Sequence, residues 1–323
     1  MKEWFEPDDT WYALGHTTKE DYLHEFVVRG RFHSMVPRDI LEAYNTVEYL
    51  MAHAYCHYPM YDEAVKKLLG IFEMAVKFRC EQLNISKTLI NASNQTRVKT
   101  LNTLIASLAE KEPLKNLKTK LDHIRELRNI EAHPKQHSFM GGLKRQVVIP
   151  VINIINSLFL EEKEIERNLQ KGNQLSEKYI NYKNGLYILD DGLKRILITD
   201  FQLLTTIEVK KELYSIWLCS PVLNNAFENI SNQLIDNPVV LGLKNIHLEK
   251  QTIQAIDLET QNKIRITPTD KLENILLLQK FNTEIASLTV RDQAIFQTIQ
   301  ENYINRRVDE FIYKNRVCEI LPT

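Results

Sequence analysis

Asn181 to Phe201 reads NYKNGLYILDDGLKRILITDF. Short β-branched and aromatic runs alternate here with Asn-Gly and Asp-Asp-Gly, residue pairs that reach the positive φ of a tight hairpin turn at little cost. Immediately upstream, Glu161 to Lys171 reads EEKEIERNLQK, a charged stretch with helical spacing. The chain therefore changes character near Gly172, and its class is α+β: a helical part first, then a mixed part with antiparallel strands and C-terminal helices.

From Pro37 back to front the helical part is continuous. Leu41, Tyr44, Val47, Met51, Ala54 and Tyr55 keep one apolar face up to Pro59. A second run repeats the period through Val65, Leu68, Leu69, Phe72, Ala75, Val76, Cys80 and Leu83, broken on its face by Glu73 and Arg79, which suit an ion pair or a solvated edge better than extra polar residues lining the cleft. A third helix carries Val98, Leu101, Leu104, Ile105 and Leu108. A fourth starts near Pro113 and runs through Leu114, Leu117, Leu121, Ile124 and Leu127. Gly141-Gly142 reads as a hinge into a fifth helix that continues to Lys171. Residues 37–171 thus predict an all-α bundle. Residues 1–36 have no clear period but carry Trp4, Trp11, Tyr12 and Tyr22, and read as a strap docked on the bundle.

In the other direction, residues 172–323 form the mixed part. TTIEV, ELYSIWL, VVLGL, TIQAIDL and KIRITP have strand character, with a helix expected from Val222 to Leu234. Thr267-Pro268-Thr269-Asp270 has the form of a helix start, and Thr289 to Asp292 begins another helix ending near Arg316. Asp190-Asp191-Gly192 is turn chemistry rather than a pair of acid-base carboxylates. Tyr179, Tyr182, Tyr187, Tyr214 and Trp217 fit core packing better than base stacking.

With 323 residues there is room for two cored domains, and 44% hydrophobic with 26% charged residues is a globular composition. A net charge of -1 removes any argument from overall basicity, so a nucleic acid would have to bind a local patch. Cys56, Cys80, Cys219 and Cys318 lie far apart without a Cys-x-x-Cys pair, which predicts reduced thiols. The acidic start MKEWFEPDDTW lacks a signal-peptide core, and VVIPVINIINSLFL from Val147 is too short and polar to span a bilayer. A cytoplasmic protein without a membrane partner is expected. His53, Cys56 and His57 have half the ligands of a zinc site and no second half, so no metal and no other cofactor is expected. No Walker loop, dinucleotide fingerprint or Gly-x-Ser-x-Gly occurs.

One stretch of the bundle carries chemistry. Leu121 to His133 reads LDHIRELRNIEAH and is followed at once by Pro134, so Arg128, Asn129 and His133 stand at the end of the fourth helix. In this Arg-Asn-x3-His arrangement the chain resembles the HEPN superfamily, whose ribonuclease members carry Arg-x4-6-His, often with a polar residue directly after the arginine. Asp122, six residues before Arg128, resembles an acidic residue at the same offset in some of its nucleases. The resemblance covers roughly residues 37–171 and is silent about the rest. It implies metal-independent RNA cleavage by Arg128, His133, Asn129 and Asp122, a homodimer whose motif helices pack into a composite site, and a role in toxin-antitoxin or antiphage systems. It also implies that residues 172–323 sense or regulate, with an antitoxin, a phage trigger or a nucleotide as ligand.

Elementary chemistry is compatible with that reading. Cleaving RNA without a metal requires moving the 2′-OH proton, stabilising extra charge on phosphorus and protonating a leaving oxygen. Imidazole titrates near neutral pH, which suits His133 to acid-base work, and a guanidinium forks onto phosphate oxygens, which suits Arg128. Asp122, Asn129 and His133 fall on one helical stripe, while Arg128 lies about 140° around from His133. Asn129 is placed to orient the imidazole or meet phosphate, and Asp122 to hold Arg128 or the imidazole. From Arg97 to Arg145 there are 11 Lys or Arg against 5 Asp or Glu, and Lys115, Lys118, Lys120, Arg125, Lys144 and Arg145 are the candidate RNA-backbone contacts. The competing reading is a non-catalytic HEPN-like module that binds a nucleotide or a partner, and a third is a plain helical scaffold.

Overall fold

The computed structural model describes residues 5–16, 18–90, 95–132, 140–227, 230 and 235–316. The chain divides into two compact units, one reaching through Ile165 and the other Glu166–Arg316. The fold class is α+β as expected, with helices first and an antiparallel sheet with C-terminal helices after them.

Helix α4 (Met60–Gln82) is the axis of the first unit, and α3 (Arg38–His53), α5 (Leu101–Ala109), α6 (Lys118–Ala132) and α7 (Arg145–Leu158) pack around it. The periodic residues of α4 from Val65 to Cys80 are all buried, as are Ile40, Tyr44, Val47 and Met51 of α3. The larger of these, such as Leu68, Phe72 and Ile40, each contribute on the order of 1.5–3 kcal/mol by leaving water. Two short helices precede this bundle, α1 (Asp9–Ala13) and α2 (Lys19–Phe26), capped by the side chains of Asp8 and Thr18. At 5 and 8 residues they are too short to display a period in sequence. Trp11 is fully buried, with its indole N–H donating to the Ala54 carbonyl at 2.8 Å, and the Tyr22 hydroxyl donates to the Met51 carbonyl. Each aromatic body is dry and its polar tip is satisfied.

Three expectations change within this unit. A hairpin of β1 (Thr88–Ile90) and β2 (Thr96–Val98) stands between α4 and α5, so Val98 belongs to a strand. The expected fifth helix is two helices, α7 and α8 (Glu162–Lys178), separated at Phe159 to Glu161. The acidic run Glu161, Glu162 and Glu164 explains the break, because carboxylates favour a helix start over a helix interior. Gly141 and Gly142 are not a hinge; both are buried, and a Cβ on Gly141 (φ +45) would lie 2.0 Å from the Tyr58 ring.

The second unit is built on a seven-stranded antiparallel sheet in the order β4-β3-β9-β8-β7-β6-β5. Its strands are β3 (Tyr187–Asp190), β4 (Arg195–Ile198), β5 (Gln202–Val209), β6 (Glu212–Cys219), β7 (Val239–Glu249), β8 (Thr252–Asp257) and β9 (Lys263–Pro268). The sheet curls until β4 meets the chain just past β6. The Thr199 N–H donates to the Ser220 carbonyl at 2.9 Å, the Val222 N–H donates to the Leu197 carbonyl at 2.8 Å, and Ile198 pairs with Pro221. The ring from β4 round to β6 is thus a small barrel, with β5 extending it outside. Alternate residues fill the interior, among them Leu189, Ile198, Trp217, Leu243, Ile253 and Ile266, as strand periodicity dictates. Phe201 stacks on Trp217 at 4.1 Å, and Leu175 of α8 and Tyr179 just past its end join this core. Tyr187 and Trp217 are therefore core residues. Outside, Phe311 of α10 (Val290–Asn315) packs against Ile207 and Ile216.

The Asp190 and Asp191 carboxylates cap the β3–β4 turn, accepting from the amides of Gly192, Leu193 and Lys194. Thr289 caps α10 through the Asp292 amide, as its sequence indicates. Two other helix expectations are corrected. Residues 222–227 are not helical, and 228, 229 and 231–234 of that segment lie outside the described residues. Thr267 and Pro268 end β9, and helix α9 (Leu272–Ser287) begins after Lys271. The Ile188↔Thr267 pairing in the ladder takes up the residues that would have capped a helix. Among the described residues no single helix is long and apolar enough to cross a membrane.

Candidate functional site

Arg128 projects from α6 toward α4, and its Nη2 donates to the Glu73 carboxylate at 2.7 Å. Glu73 also accepts from Lys77 at 2.7 Å, one helical turn further along α4. Burial alone would raise the Glu73 carboxyl, but the Lys77 ammonium and the Arg128 guanidinium together hold it below its usual range. The polar break on the apolar face of α4 is thus an ion-pair anchor that fixes the arginine. Asn129 is exposed, and its carbonyl oxygen accepts from Arg128 Nη1 at 3.4 Å.

These groups line a cavity of about 320 Å³ together with Lys99, Thr100, Leu101, Asn102 and Arg125. Its charge is one-sided. Lys77, Lys99, Arg125 and Arg128 face a single carboxylate, Glu73. The wall formed by Thr100 to Asn102 is the first turn of α5, where helix N–H groups carry partial positive charge. Thr100 caps the helix by accepting from the Thr103 amide, and the amides of Leu101 and Asn102 precede the first intrahelical bond. The charge and geometry of such a concavity suit an anion.

Sequence reading missed Lys77, Lys99, Thr100 and Asn102. The Glu-x3-Lys spacing of Glu73 and Lys77 was a usable signal on α4. Nothing local announces that the strand-to-helix junction at Thr100 comes to face α6.

Asp122 does not hold Arg128. Among the described residues it accepts from Lys118 at 2.6 Å and from Arg125 at 3.3 Å. The Lys118 ammonium first, and Arg125 with it, keep its carboxyl below the usual range. The spacing explains this: partners three and four positions away share a helix face with Asp122, whereas Arg128, six away, does not. His133, the fourth expected catalytic residue, follows the last residue of α6 in sequence and lies outside the described residues, as does Pro134.

The expected RNA contacts divide. Lys115, Lys118 and Lys120 are exposed, and Arg125 lines the cavity. Lys144 does not face solvent. It is buried, 2.6 Å from Asp62 and 2.8 Å from Glu131. Burial alone would lower the Lys144 ammonium, but the two carboxylates hold it above its ordinary value. Asp62 also accepts from the amides of Met140 and Gly141, at 3.3 Å and 3.0 Å. Arg145 is half-buried and donates to the Glu25 carbonyl. Both are corrected from phosphate contacts to structural cations, because each finds its oxygen acceptors inside the protein.

His53, Cys56 and His57 gather no further ligands, and no group of three or more His, Cys, Asp or Glu suited to a metal occurs among the described residues. Cys56, Cys80 and Cys219 are free thiols, and burial pushes Cys80 up to about 11. Comparison with known proteins adds no relative: no family model, no curated protein and no solved structure matches the chain.

Proposed function

We propose that the first unit is a metal-independent, HEPN-like endoribonuclease that acts as a toxin or antiphage defence effector, with the second unit as its sensing or regulatory half. The observation that carries the reading is the cation-lined cavity in which Glu73 and Asn129 hold Arg128. In this reading an RNA phosphate enters beside Arg128, Arg125 and Lys99, and the guanidinium neutralises charge that grows on phosphorus. His133 moves the 2′-OH proton as general base or protonates the leaving oxygen, and two protomers share the site across their α6 helices. Lys115, Lys118 and Lys120 extend the track for the strand.

Purified protein is incubated with mixed RNA in EDTA beside the Arg128→Ala and His133→Ala variants. The expected result is cleavage leaving a 2′,3′-cyclic phosphate or 3′-phosphate with a 5′-OH. Each variant should be slowed by roughly two orders of magnitude or more, the usual scale for an acid-base group. Mixing the two variants should restore part of the activity if the site is shared. Loss of wild-type cleavage on chelation, or unchanged rates in the variants, rejects the mechanism. The cavity alone equally suits a non-catalytic module that holds a nucleotide phosphate, and RNA bound but uncut by wild-type protein would establish that second reading.

A further inference from the structure

The second unit holds a cavity of about 660 Å³ that no sequence motif announces. It lies between the end of the barrel and helices α9 and α10, and its volume is that of a small-molecule site. Leu186 and Leu218 form its barrel side, and Leu278, Ile285 and Ile304 its helical side. Phe227, Phe281 and Phe296 converge in the wall, with Phe227 centred 5.6 Å from Phe281 and 5.2 Å from Phe296. Two of these rings, Phe281 of α9 and Phe296 of α10, are half-buried, on helices whose one fully buried side chain is Phe311.

The charge of this cavity is as one-sided as that of the first, with the opposite sign. Asp200 and Asp236 line it, and no lysine, arginine or histidine does so among the described residues. The Asp200 carboxylate is half-buried, accepts from the Thr199 hydroxyl at 3.1 Å and has no cationic partner among the described residues. A neutral apolar ligand seated here would strip water from that carboxylate without replacing it, a costly exchange, and an anionic ligand would be repelled as well. A ligand bearing a positive charge removes the penalty, and its apolar body gains the leucine and phenylalanine surface. Phenylalanine faces attract cations in their own right.

We propose that this cavity is a binding site for a small amphipathic cation, an apolar or aromatic body carrying a protonated amine. The charged end sits toward Asp200 and the body lies among Phe227, Phe281 and Phe296. The proposal stands apart from the nuclease reading, since it concerns only the second unit.

The test is calorimetric titration of the full chain with phenylbutylamine, phenylbutanol and phenylbutanoate, which share one body and differ in charge. The amine should bind, the alcohol should bind at least roughly tenfold more weakly, and the carboxylate should not bind. Asp200→Asn should reduce amine affinity by roughly tenfold and leave the alcohol unchanged. Ile304→Trp, which fills the cavity, should abolish binding of both. Equal affinity for amine and alcohol overturns the proposal, as does no amine binding up to about 10 mM, a threshold far above useful affinities. An amine affinity that Asp200→Asn leaves intact overturns it too. Should that variant fail to fold, the wild-type comparison of amine with alcohol decides alone.

Discussion

Lys144 shows how far a single side chain can depart from what its neighbourhood in sequence suggests. Counted along the chain, it belongs to a basic run beside the Arg-Asn-x3-His motif. In space it is a buried cation between Asp62 and Glu131. Removing it leaves those carboxylates without their counter-charge, and breaking a buried pair from one side costs about 3–5 kcal/mol. Lys144→Met should therefore lower the melting temperature sharply at neutral pH, although methionine keeps most of the packing volume. The pH dependence has a definite sign. A lysine raised in the folded state contributes stability that is complete below its ordinary value of 10.5 and is lost as pH rises through the higher folded value. Melting curves of wild type and variant should differ by a constant gap through neutral pH, and that gap should close in strong alkali. A gap that is small at neutral pH would mean the ion cluster holds little. Glu73 was easier to read, since a carboxylate on an apolar helix face needs a partner. Which partner it finds, Arg128 on another helix, is a tertiary fact that no local spacing contains.

At the scale of elements, periodicity carried well where packing follows it. The buried face of α4 and the alternating interior of β6 to β9 are those the apolar pattern indicates, because burial on one face produces that pattern. It failed where one helical pattern runs on across two elements, as at α7 and α8, and where a capping sequence is absorbed by a strand, as at Thr267. Barrel closure was also invisible, since it rests on backbone bonds from Thr199 and Val222 that any residue except proline can make. One contact between elements yields a direct test. A Cβ placed on Gly242 of β7 would lie 2.2 Å from Cε2 of Phe311, so the missing side chain is what lets α10 approach the sheet. Gly242→Ala should destabilise the protein by about 1–3 kcal/mol, the usual effect of overfilling a packed site. Adding Phe311→Leu should return part of that loss, since the smaller residue vacates the space. A melting temperature unchanged by Gly242→Ala alone would show that α10 shifts freely, and the packing argument would fail.

For the molecule as a whole, the sequence changes character near Gly172. The division falls before Glu166, inside helix α8, where a continuous helical pattern gives no sign of a boundary. Each unit has its own interior. One is centred on the apolar face of α4, the other inside the barrel around Trp217 and Ile253. Units of this size with separate cores are each long enough to fold cooperatively. Heating should accordingly give a heat-capacity trace with two transitions rather than one, and the two substitutions above assign them. Lys144→Met removes a charge from the first unit, so it should lower one transition and leave the other in place. Gly242→Ala strains the second unit and should do the reverse. Independent sites in separately unfolding cores also require additivity, so the double variant should show both displacements at their single-variant sizes. A single transition moved by either substitution would mean that the two cores melt as one cooperative body, and the assignment of separate folding units would be wrong.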